Sequence, residues 1–407
     1  MDFLLLKFQT ELFPQTITFF TVMWPFLLLI LPVVLAIIVW QMRVYYVRRM
    51  FDKKQKYVLL EIKVPREVTK SPAAMELFLL ALYQTSGESN AYHTNWLGKA
   101  RAQSSLELVS IDGQIHFYIR IREGLRNQVE ASMYSQYPEV EIYPVEDYTK
   151  NVYFDNSDYA FLGTEFVFTK DSAYPIKTYI DYGLEKNPDE EFKIDPLSPL
   201  VEFFGQISKG EQLWIQFVIR SYKTKPEDPW GDSAKKIVNE TLNRDPKTRQ
   251  LIKPEGTFPM FQISEIEREI IAVVQRAQNK QAFEVGIRAF YLAKKDKFNG
   301  MNISGILGAF KQFNANNFNG FKPTNVTAFD DYPWEDYKEY RTNKAKRKML
   351  HAYKLRCFFN PPYERKFSIM NIEELATVFH IPSSVISTPT FERITSKKSE
   401  PPANLPI

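Results

Sequence analysis

The spacing of hydrophobic residues divides the chain into an apolar N-terminal run and a long region of mixed periodicity. Residues 17–42 carry no charged side chain, and an apolar run extends from Phe19 to Trp40. As a helix this run spans about 33 Å, close to the hydrocarbon thickness of a membrane, which is about 30 Å. From Tyr57 onward, alternating runs typical of strands are interspersed with runs of helical period. The pattern therefore predicts a membrane helix followed by a folded α+β region.

The predicted transmembrane helix, residues 17–42, follows a short N-terminal segment, residues 1–16. Proline is tolerated in membrane helices, and tryptophan favours the membrane interfaces. The residues expected to anchor the helix are Phe19, Trp24, Pro25, Pro32 and Trp40. The alternative is a cleaved signal peptide, but Asp2 and Glu11 outweigh Lys7 before the run, and no small-residue cleavage site follows it.

A basic segment, residues 43–56, follows the apolar run and sets the expected orientation. Its only acid is Asp52, and its cations are Arg43, Arg48, Arg49, Lys53, Lys54 and Lys56. Because the cytoplasmic flanks of membrane helices are enriched in Lys and Arg, we expect the N-terminus outside and the rest of the chain in the cytoplasm. These cations are also expected to contact anionic lipid, each contributing about 1 kcal/mol.

Residues 57–150 predict a first α+β domain with the element order β-α-β-β-α-β. A strand is expected at residues 57–65 and a helix from Pro72, with Ser71 as its N-cap. The dipeptide Asp112-Gly113 lies between two alternating runs, which is a strong signal for a β-hairpin. This order is that of a split βαβ, or ferredoxin-like, sandwich.

The ferredoxin-like fold is shared with RNA-recognition domains, whose RNA-binding strand has a characteristic sequence. The run IHFYIRI differs from that sequence. That strand requires a glycine after Lys or Arg, and the run has His116 followed directly by two aromatic residues. We therefore expect the alternate residues Phe117, Ile119 and Ile121 to lie in the core.

Residues 151–395 repeat the alternation of strands and helices and predict a second α+β domain. Ser264 with Glu267, and Asn371 with Glu374, have the spacing of helix-capping boxes. Insertions are expected at about residues 224–261 and 328–356. The predicted fold class is thus α+β, with two ferredoxin-like sandwiches in tandem, the second carrying helical insertions. Residues 396–407 form a proline-rich tail.

The second insertion contains the most basic stretch of the chain. Residues 341–356 carry seven Lys and Arg residues and no acid, after an acidic stretch, FDDYPWEDYKEY. A basic helix of this kind can hold a nucleic-acid backbone or an acidic partner. The residues expected to make such contacts are Arg341, Lys344, Lys346, Arg347 and Lys348. The alternative is a solvated helix whose charge is partly neutralised by the acidic stretch.

No catalytic motif is recognisable in the sequence. Phosphate-binding loops, nucleophile elbows, H-E-x-x-H and C-x-x-C motifs are all absent, and the four histidines lie far apart. His380, at a helix end, is expected to pack or cap. The one cysteine, Cys357, excludes an internal disulfide framework and is expected to be a core residue. We predict a protein that is not an enzyme and uses neither cofactor nor metal. Its net charge of +4 indicates no partner.

Several stretches carry a resemblance to a known family. The C-terminal one is MNIEELATVFHIPSSVISTPTFERITSKKSEPPANLP, and the others are SLELVSIDGQIHFYIRIREGLRNQVEASMYSQYPEVEI, EREIIAVVQRAQNKQAFEVGIRAFYLAKK and GAFKQFNANNFNGFK. They resemble the region that precedes the motor in HerA/FtsK-type ATPases of conjugation and type IV secretion. The resemblance covers most of residues 57–406.

The resemblance implies a non-catalytic anchor or scaffold in a bacterial inner membrane, of which a HerA/FtsK-like ATPase in a separate chain is the partner. No Walker motif is present, so ATP hydrolysis is not implied. The tail residues expected to dock the motor are Lys397, Lys398, Pro401, Pro402 and Pro406. Self-association and DNA binding are left open. The alternatives are a membrane-tethered nucleic-acid-binding module and a membrane-associated enzyme whose site forms only on folding.

Overall fold

A computed structural model describes residues 13–64, 70–154, 158–184, 195–224, 228–242, 264–328, 332, 334 and 336–382, with side chains from residue 28 onward. The described residues form two compact units. The helix unit comprises those of Met1–Gln55 and Ser86–Ala100, and the sheet unit comprises those of Lys56–Thr85 and Arg101–Ile407. The expected tail, residues 396–407, and its docking residues lie outside the described residues.

The elements are numbered in chain order. The helices are α1 (Phe13–Lys54), α2 (Ala73–Ala81), α3 (Ala91–Asn95), α4 (Arg126–Gln136), α5 (Ser198–Gly205), α6 (Pro229–Thr241), α7 (Glu265–Gln278), α8 (Gly300–Leu307), α9 (Tyr340–Leu355) and α10 (Ile372–Val378). The strands are β1 (Tyr57–Lys63), β2 (Gln103–Ile111), β3 (Gln114–Arg122), β4 (Glu141–Val145), β5 (Tyr159–Phe168), β6 (Glu211–Ser221), β7 (Ala282–Lys294), β8 (Phe321–Thr324), β9 (Phe359–Asn360), β10 (Tyr363–Glu364) and β11 (Ser368–Asn371).

The helix unit is built on α1, which extends beyond the predicted residues 17–42 in both directions. The predicted apolar run accounts for its centre, and the helix continues through the basic segment to Lys54. The segment Leu28–Lys54 is long and apolar enough to cross a membrane, with a mean hydropathy of 2.1 in its most apolar window. Its side chains in that window are exposed. A signal sequence near the N-terminus meets the same criteria of length and hydropathy.

The sheet unit is organised around one antiparallel sheet, which contains nine strands among the described residues. The order is β4-β1-β3-β2-β6-β7-β5-β8, and β11 pairs with β7 beside the end of β5. The two halves that the sequence predicts join where β2 pairs with β6, from Gln103 opposite Arg220 to Ile111 opposite Gln212. Within each half the strands follow the order fourth, first, third, second, and every pairing is antiparallel.

Both faces of the sheet are covered. The main core lies on one face, where strand residues such as Leu106, Phe117 and Phe217 pack against α2, α4, α5, α8 and α10. The alternate residues of the same strands, including Trp214 and Phe290, point to the opposite face, where α9 packs on them. Strands buried on both faces read as nearly continuous apolar runs. The stretch LWIQFVI in β6 has this character.

Several local predictions are confirmed. Asp112 and Gly113 have positive φ angles of 54° and 86°, as a two-residue hairpin between β2 and β3 requires. Phe117, Ile119 and Ile121 are buried in the core, as the alternation predicts. Both capping boxes form at α7 and α10.

Two local predictions are wrong. The N-cap of α2 is Pro72 and not Ser71, whose carbonyl instead accepts a turn hydrogen bond from the backbone N–H of Ala74. Cys357 is half-buried and not part of the core, and its thiol donates to the carbonyl of Asn360 at 3.0 Å. It follows α9 at the turn into β9, beside Phe358 and Phe359, which pack on Val218 of β6.

The C-terminal helix α10 carries a buried acid, Glu374, in an environment that disfavours its charge. Glu374 is buried and accepts hydrogen bonds from the backbone N–H groups of Asn371 at 2.9 Å and Ile176 at 3.0 Å. Burial raises the pKa of Glu374 to about 8. Nearby, His380 is buried as predicted for a packing residue, with Nε2 3.0 Å from Asp195 Oδ1 and Nδ1 2.9 Å from the carbonyl of Ala376.

Glu374 predicts a pH-dependent stability. Because its pKa rises from 4.5 to about 8 on folding, the folded state binds the proton more tightly. The contribution of Glu374 to the free energy of unfolding is therefore fully present below a pH of about 4.5, and it is lost as the pH rises towards about 8. We expect Glu374→Gln, which removes the charge and keeps one of the two acceptor oxygens, to flatten this loss of stability with pH in denaturant unfolding of the protein. Glu267→Gln, at the same position of the exposed capping box of α7, is the control. It should leave the dependence of stability on pH unchanged. Equal slopes in both variants would contradict the assignment.

Candidate functional site

The basic helix α9 is positioned by an apolar stripe that binds it to the sheet. Met349, Leu350, Ala352 and Tyr353 are buried against strand residues. The ring of Tyr353 lies 4.8 Å from that of Phe290. The helix is therefore neither wholly solvated nor free of the sheet, because its amphipathic pattern buries one face.

A glycine in β5 allows this close packing. A Cβ atom at Gly163 would lie 2.5 Å from the ring of Phe290 and 2.7 Å from the sulfur of Met349. No side chain fits at that distance without displacing the ring or α9.

Gly163→Ala is therefore expected to destabilise the sheet unit by about 1–3 kcal/mol, the usual cost of overpacking a core. Gly124→Ala is the matched control, because a Cβ there meets nothing within 4 Å. Thermal unfolding of the two variants beside the unmodified protein measures the difference. Unfolding of Gly163→Ala at the same temperature as Gly124→Ala would contradict the packing argument.

The C-terminal end of α9 is fixed by a buried ion pair. Arg356, in the left-handed conformation with φ of 51°, ends the helix. Its guanidinium donates to Glu107 on β2, with Nε 2.9 Å from Oε1 and Nη2 3.1 Å from Oε2, and also to Asp147. Burial alone would raise the pKa of Glu107, but the charge and hydrogen bonds of Arg356 outweigh it and hold that pKa below its ordinary value. Ser105 and Tyr148 donate to the same carboxylate.

The N-terminal end of α9 is capped by an acid from the preceding segment. The carboxylate of Asp336 accepts from the backbone N–H groups of Arg341 at 2.7 Å and Thr342 at 2.6 Å. A negative charge at this end also complements the helix dipole. Both ends of the basic helix are thus held in place.

The exposed face of α9 lines a cavity of about 340 Å³. Arg341, Lys344 and Lys348 line it from three successive turns, and Arg365, just after β10, lines it from the opposite side. The remaining lining residues are Asn325, Tyr340, Ala345, Met349 and Tyr363. Among the residues that the structure describes, four cations and no acid line this cavity.

The amines of the cavity have aromatic neighbours. The Nζ atom of Lys344 lies 5.9 Å from the ring centre of Tyr340, and that of Lys348 lies 5.7 Å from the ring centre of Tyr363. Among the described residues neither amine has a carboxylate within 4 Å, whereas other surface lysines such as Lys235 do. Their charge is therefore available to a ligand.

Beneath the lining residues lies a hydrogen-bonded group around Glu165 on β5, whose side chain is buried and does not line the cavity. The hydroxyl of Tyr363 donates to Glu165 Oε1 at 2.7 Å, and the amide of Asn325 donates to Oε2 at 2.9 Å. Arg365 Nε lies 3.7 Å from the same carboxylate. Partial burial lowers the pKa of Arg365, but Tyr363 and Glu165 outweigh it and raise that pKa overall, so the guanidinium keeps its charge.

The arrangement favours binding of an anion. Clustered Lys and Arg side chains with aromatic neighbours suit phosphate groups, because the cations neutralise charge and the rings supply flat contact surface. Among the described residues no group of three or more His, Cys, Asp or Glu side chains is placed to hold a metal ion.

The structure separates the five basic residues that the sequence singles out. Arg341, Lys344 and Lys348 share the cavity, and Arg347 is exposed outside its lining. Lys346 points elsewhere, with Nζ 5.9 Å from the ring of Phe154, and burial lowers its pKa. Sequence reasoning missed Arg365, Asn325 and Tyr363. Only the basic pair Arg365-Lys366 gave a local signal for them.

The expected membrane residues lie on α1. The backbone of Phe19, Trp24 and Pro25 is helical, and Pro32 and Trp40 are exposed. The basic residues that follow are exposed or half-buried: Arg43, Arg48, Arg49, Lys53, Lys54 and, after the helix, Lys56.

A second cavity, of about 870 Å³, lies between α6 and α7. Its charged lining residues are Asp228, Asp232, Lys235 and Lys236. Because both signs are present, and Lys235 pairs with Asp232 at 3.1 Å, this cavity indicates no class of ligand.

Comparison with known proteins gives a family and no function. No curated protein matches the chain. One family model, described as a domain of unknown function (DUF8128), matches residues 50–393, which include the whole described sheet unit from β1 to α10. Since this match covers well over half of the 407 residues, the chain belongs to the DUF8128 family.

Proposed function

We propose that the protein is a membrane-anchored scaffold that docks a HerA/FtsK-type ATPase in a translocation machine of the conjugation or type IV secretion kind. The observation that supports the anchor is α1, whose apolar side chains from Leu28 to Trp40 are exposed. The docking role rests on the resemblance of the stretches around EELATVFHIP and EREIIAVVQRAQ to the region before the motor in those ATPases.

The proposed orientation is a single pass through a bacterial inner membrane, with the N-terminus outside and the sheet unit in the cytoplasm. The basic residues from Arg43 to Lys54 support it, since Lys and Arg favour the cytoplasmic flank. A cysteine-accessibility experiment in intact cells, with cysteines introduced before α1 and in α6, tests this orientation.

The proposed architecture treats each half of the sheet as a ferredoxin-like unit. The strand order fourth, first, third, second supports this in both halves, as does the presence of helices after the first and third strands of each half. In the second half α6 and α7 replace the tight hairpin of the first. The two ferredoxin-like halves of the sheet unit would share one sheet through the pairing of β2 with β6.

Affinity purification from the native host in mild detergent tests the docking role. We expect a HerA/FtsK-type ATPase to be recovered with the tagged full-length protein and to be lost when residues 396–407 are deleted. Reproducible purification without any such ATPase would refute the docking role. The deletion variant must still be found in the membrane fraction.

The cavity on α9 supports a second candidate function, a membrane-tethered module that binds nucleic acid. The observation that supports it is the convergence of Arg341, Lys344, Lys348 and Arg365 on one cavity. A phosphate backbone supplies the complementary charge. This candidate needs no motor partner, and its salt dependence distinguishes it from the first.

A further inference from the structure

The segment of the helix unit that follows α2 packs against α1 beyond the end of the apolar run. The guanidinium of Arg43 lies 4.0 Å from the ring centre of Trp96 and donates to the carbonyl of Asn95 at 3.3 Å. Trp40 and Trp96 meet edge to face, with ring centres 5.8 Å apart.

A glycine holds the segment close to the helix backbone. Gly98 has a φ of +65°, and a Cβ atom there would lie 2.6 Å from the backbone carbonyl group of Val47. Only glycine combines this conformation with so close an approach. The contacts from Trp40 to Val47 therefore form a built junction between α1 and residues 91–98.

The outer surface of this junction is apolar and aromatic. Tyr92, Trp96 and Leu97 are 58%, 52% and 40% exposed, although all three are large hydrophobic side chains. Trp40 is 43% exposed beside them. Tyr and Trp with neighbouring Arg are the residues that favour the water–lipid boundary, because their rings are apolar and their polar atoms reach water.

The position of the junction along α1 fits the headgroup layer. The apolar run ends at Trp40, and Arg43, which contacts Trp96, lies about 4.5 Å further along at about 1.5 Å per residue. The headgroup region on one side of a bilayer is about 5–8 Å thick. The exposed side chains of the junction therefore continue the apolar surface of α1 into that layer.

We propose that residues 91–98 form a second membrane contact, an interfacial anchor whose side chains Tyr92, Trp96 and Leu97 insert among lipid headgroups. This inference rests on the proposed membrane crossing of α1. The anchor limits rotation and tilt of α1, because the chain then meets the membrane at two places in its sequence.

Depth measurements with spin labels test the anchor. The full chain, with Cys357→Ser, is reconstituted in vesicles of phosphatidylcholine and phosphatidylglycerol. Single cysteines are introduced by Val34→Cys, Tyr92→Cys, Leu97→Cys and, as an exposed control on α6, Lys236→Cys. We expect the ratio of oxygen to nickel-chelate accessibility to be highest at position 34, several-fold above the control at 92 and 97, and lowest at 236.

The possible failures are distinguishable. If position 34 lies in lipid while 92 and 97 are as accessible to the nickel chelate as 236, the anchor is refuted and the crossing stands. If 92 and 97 are shielded from both reagents, they contact protein, and the anchor is again refuted. If position 34 is itself accessible to the chelate, the crossing fails and the anchor with it.

A second variant tests the junction that holds the anchor. Gly98→Val places side-chain atoms against the backbone of Val47 and opposes the positive φ. We expect the labels at 92 and 97 to become several-fold more accessible to the chelate, with no change at position 34. Unchanged depth at all three positions would refute the role of the junction.

Discussion

Arg356→Met is expected to lower the free energy of unfolding of the protein by about 3–5 kcal/mol, the cost of removing one partner from a buried ion pair. Arg356 and Glu107 are 1% and 0% exposed, so the variant leaves a carboxylate buried with no cation. It also removes the contact with Asp147 that holds the C-terminal end of α9. Denaturant unfolding of the full-length protein in detergent, followed by tryptophan fluorescence, measures the loss, since Trp214 lies beside Tyr353.

Two further variants isolate the ion pair as the cause. Arg347→Met removes an exposed cation from the same helix and is expected to change the stability by less than about 0.5 kcal/mol. Glu107→Gln combined with Arg356→Met should recover part of the lost stability, because the uncompensated charge is then absent. If Glu107→Gln lowers the stability of Arg356→Met as much as it lowers that of the unmodified protein, the effect of Arg356→Met comes from lost packing and not from the buried charge.

Glu107 illustrates why the sequence predicts the strands but not their environment. The alternation in β2 and β3 and the turn at Asp112-Gly113 locate the hairpin from local signals alone. The same alternation places Glu107 on the face away from the main core, where an acid is expected to be solvated. It is buried because α9, about 240 residues later in the chain, covers that face. No local pattern specifies such a partner.

The joining of the two halves is a similar case. The order of elements predicts two α+β units, but which edge strands pair depends on long-range complementarity that periodicity does not contain. The long apolar runs of β6 and β7 did carry a signal, since strands exposed on one face would alternate more strictly. That signal indicates coverage of both faces without identifying α9 as the cover.

The residues of the candidate site also fall into two groups, those that the sequence predicts and those that only the fold brings to the cavity. Arg341, Lys344 and Lys348 follow helical spacing, so one helix face brings them together and the sequence suffices to find them. Lys346 lies on another face of the same helix, beside Phe154. Arg365 joins the cavity only because the chain reverses after α9 through β9 and β10.

Neutralising two lysines of the cavity is expected to weaken binding to duplex DNA and to reduce its salt dependence. Each phosphate contact contributes about 0.9 to the slope of log affinity against log salt concentration, so Lys344→Gln with Lys348→Gln should lower the magnitude of that slope by about 1.8. Folding should be unaffected, because both side chains are exposed and the buried stripe of α9 is unchanged. Fluorescence anisotropy of a labelled duplex, titrated with full-length protein at several salt concentrations, measures both quantities.

The control must remove the same charge from elsewhere on the sheet unit. Lys209→Gln with Lys322→Gln does so, since both lysines are exposed and lie outside the cavity lining. A general electrostatic attraction to DNA would weaken equally in both double variants, because both lower the net charge of the protein by two. If the cavity binds phosphates, only Lys344→Gln with Lys348→Gln lowers the magnitude of the slope of log affinity against log salt concentration. If both variants lose slope equally, α9 is a solvated basic face without a site, and the membrane-anchored scaffold is the better supported of the two proposed functions.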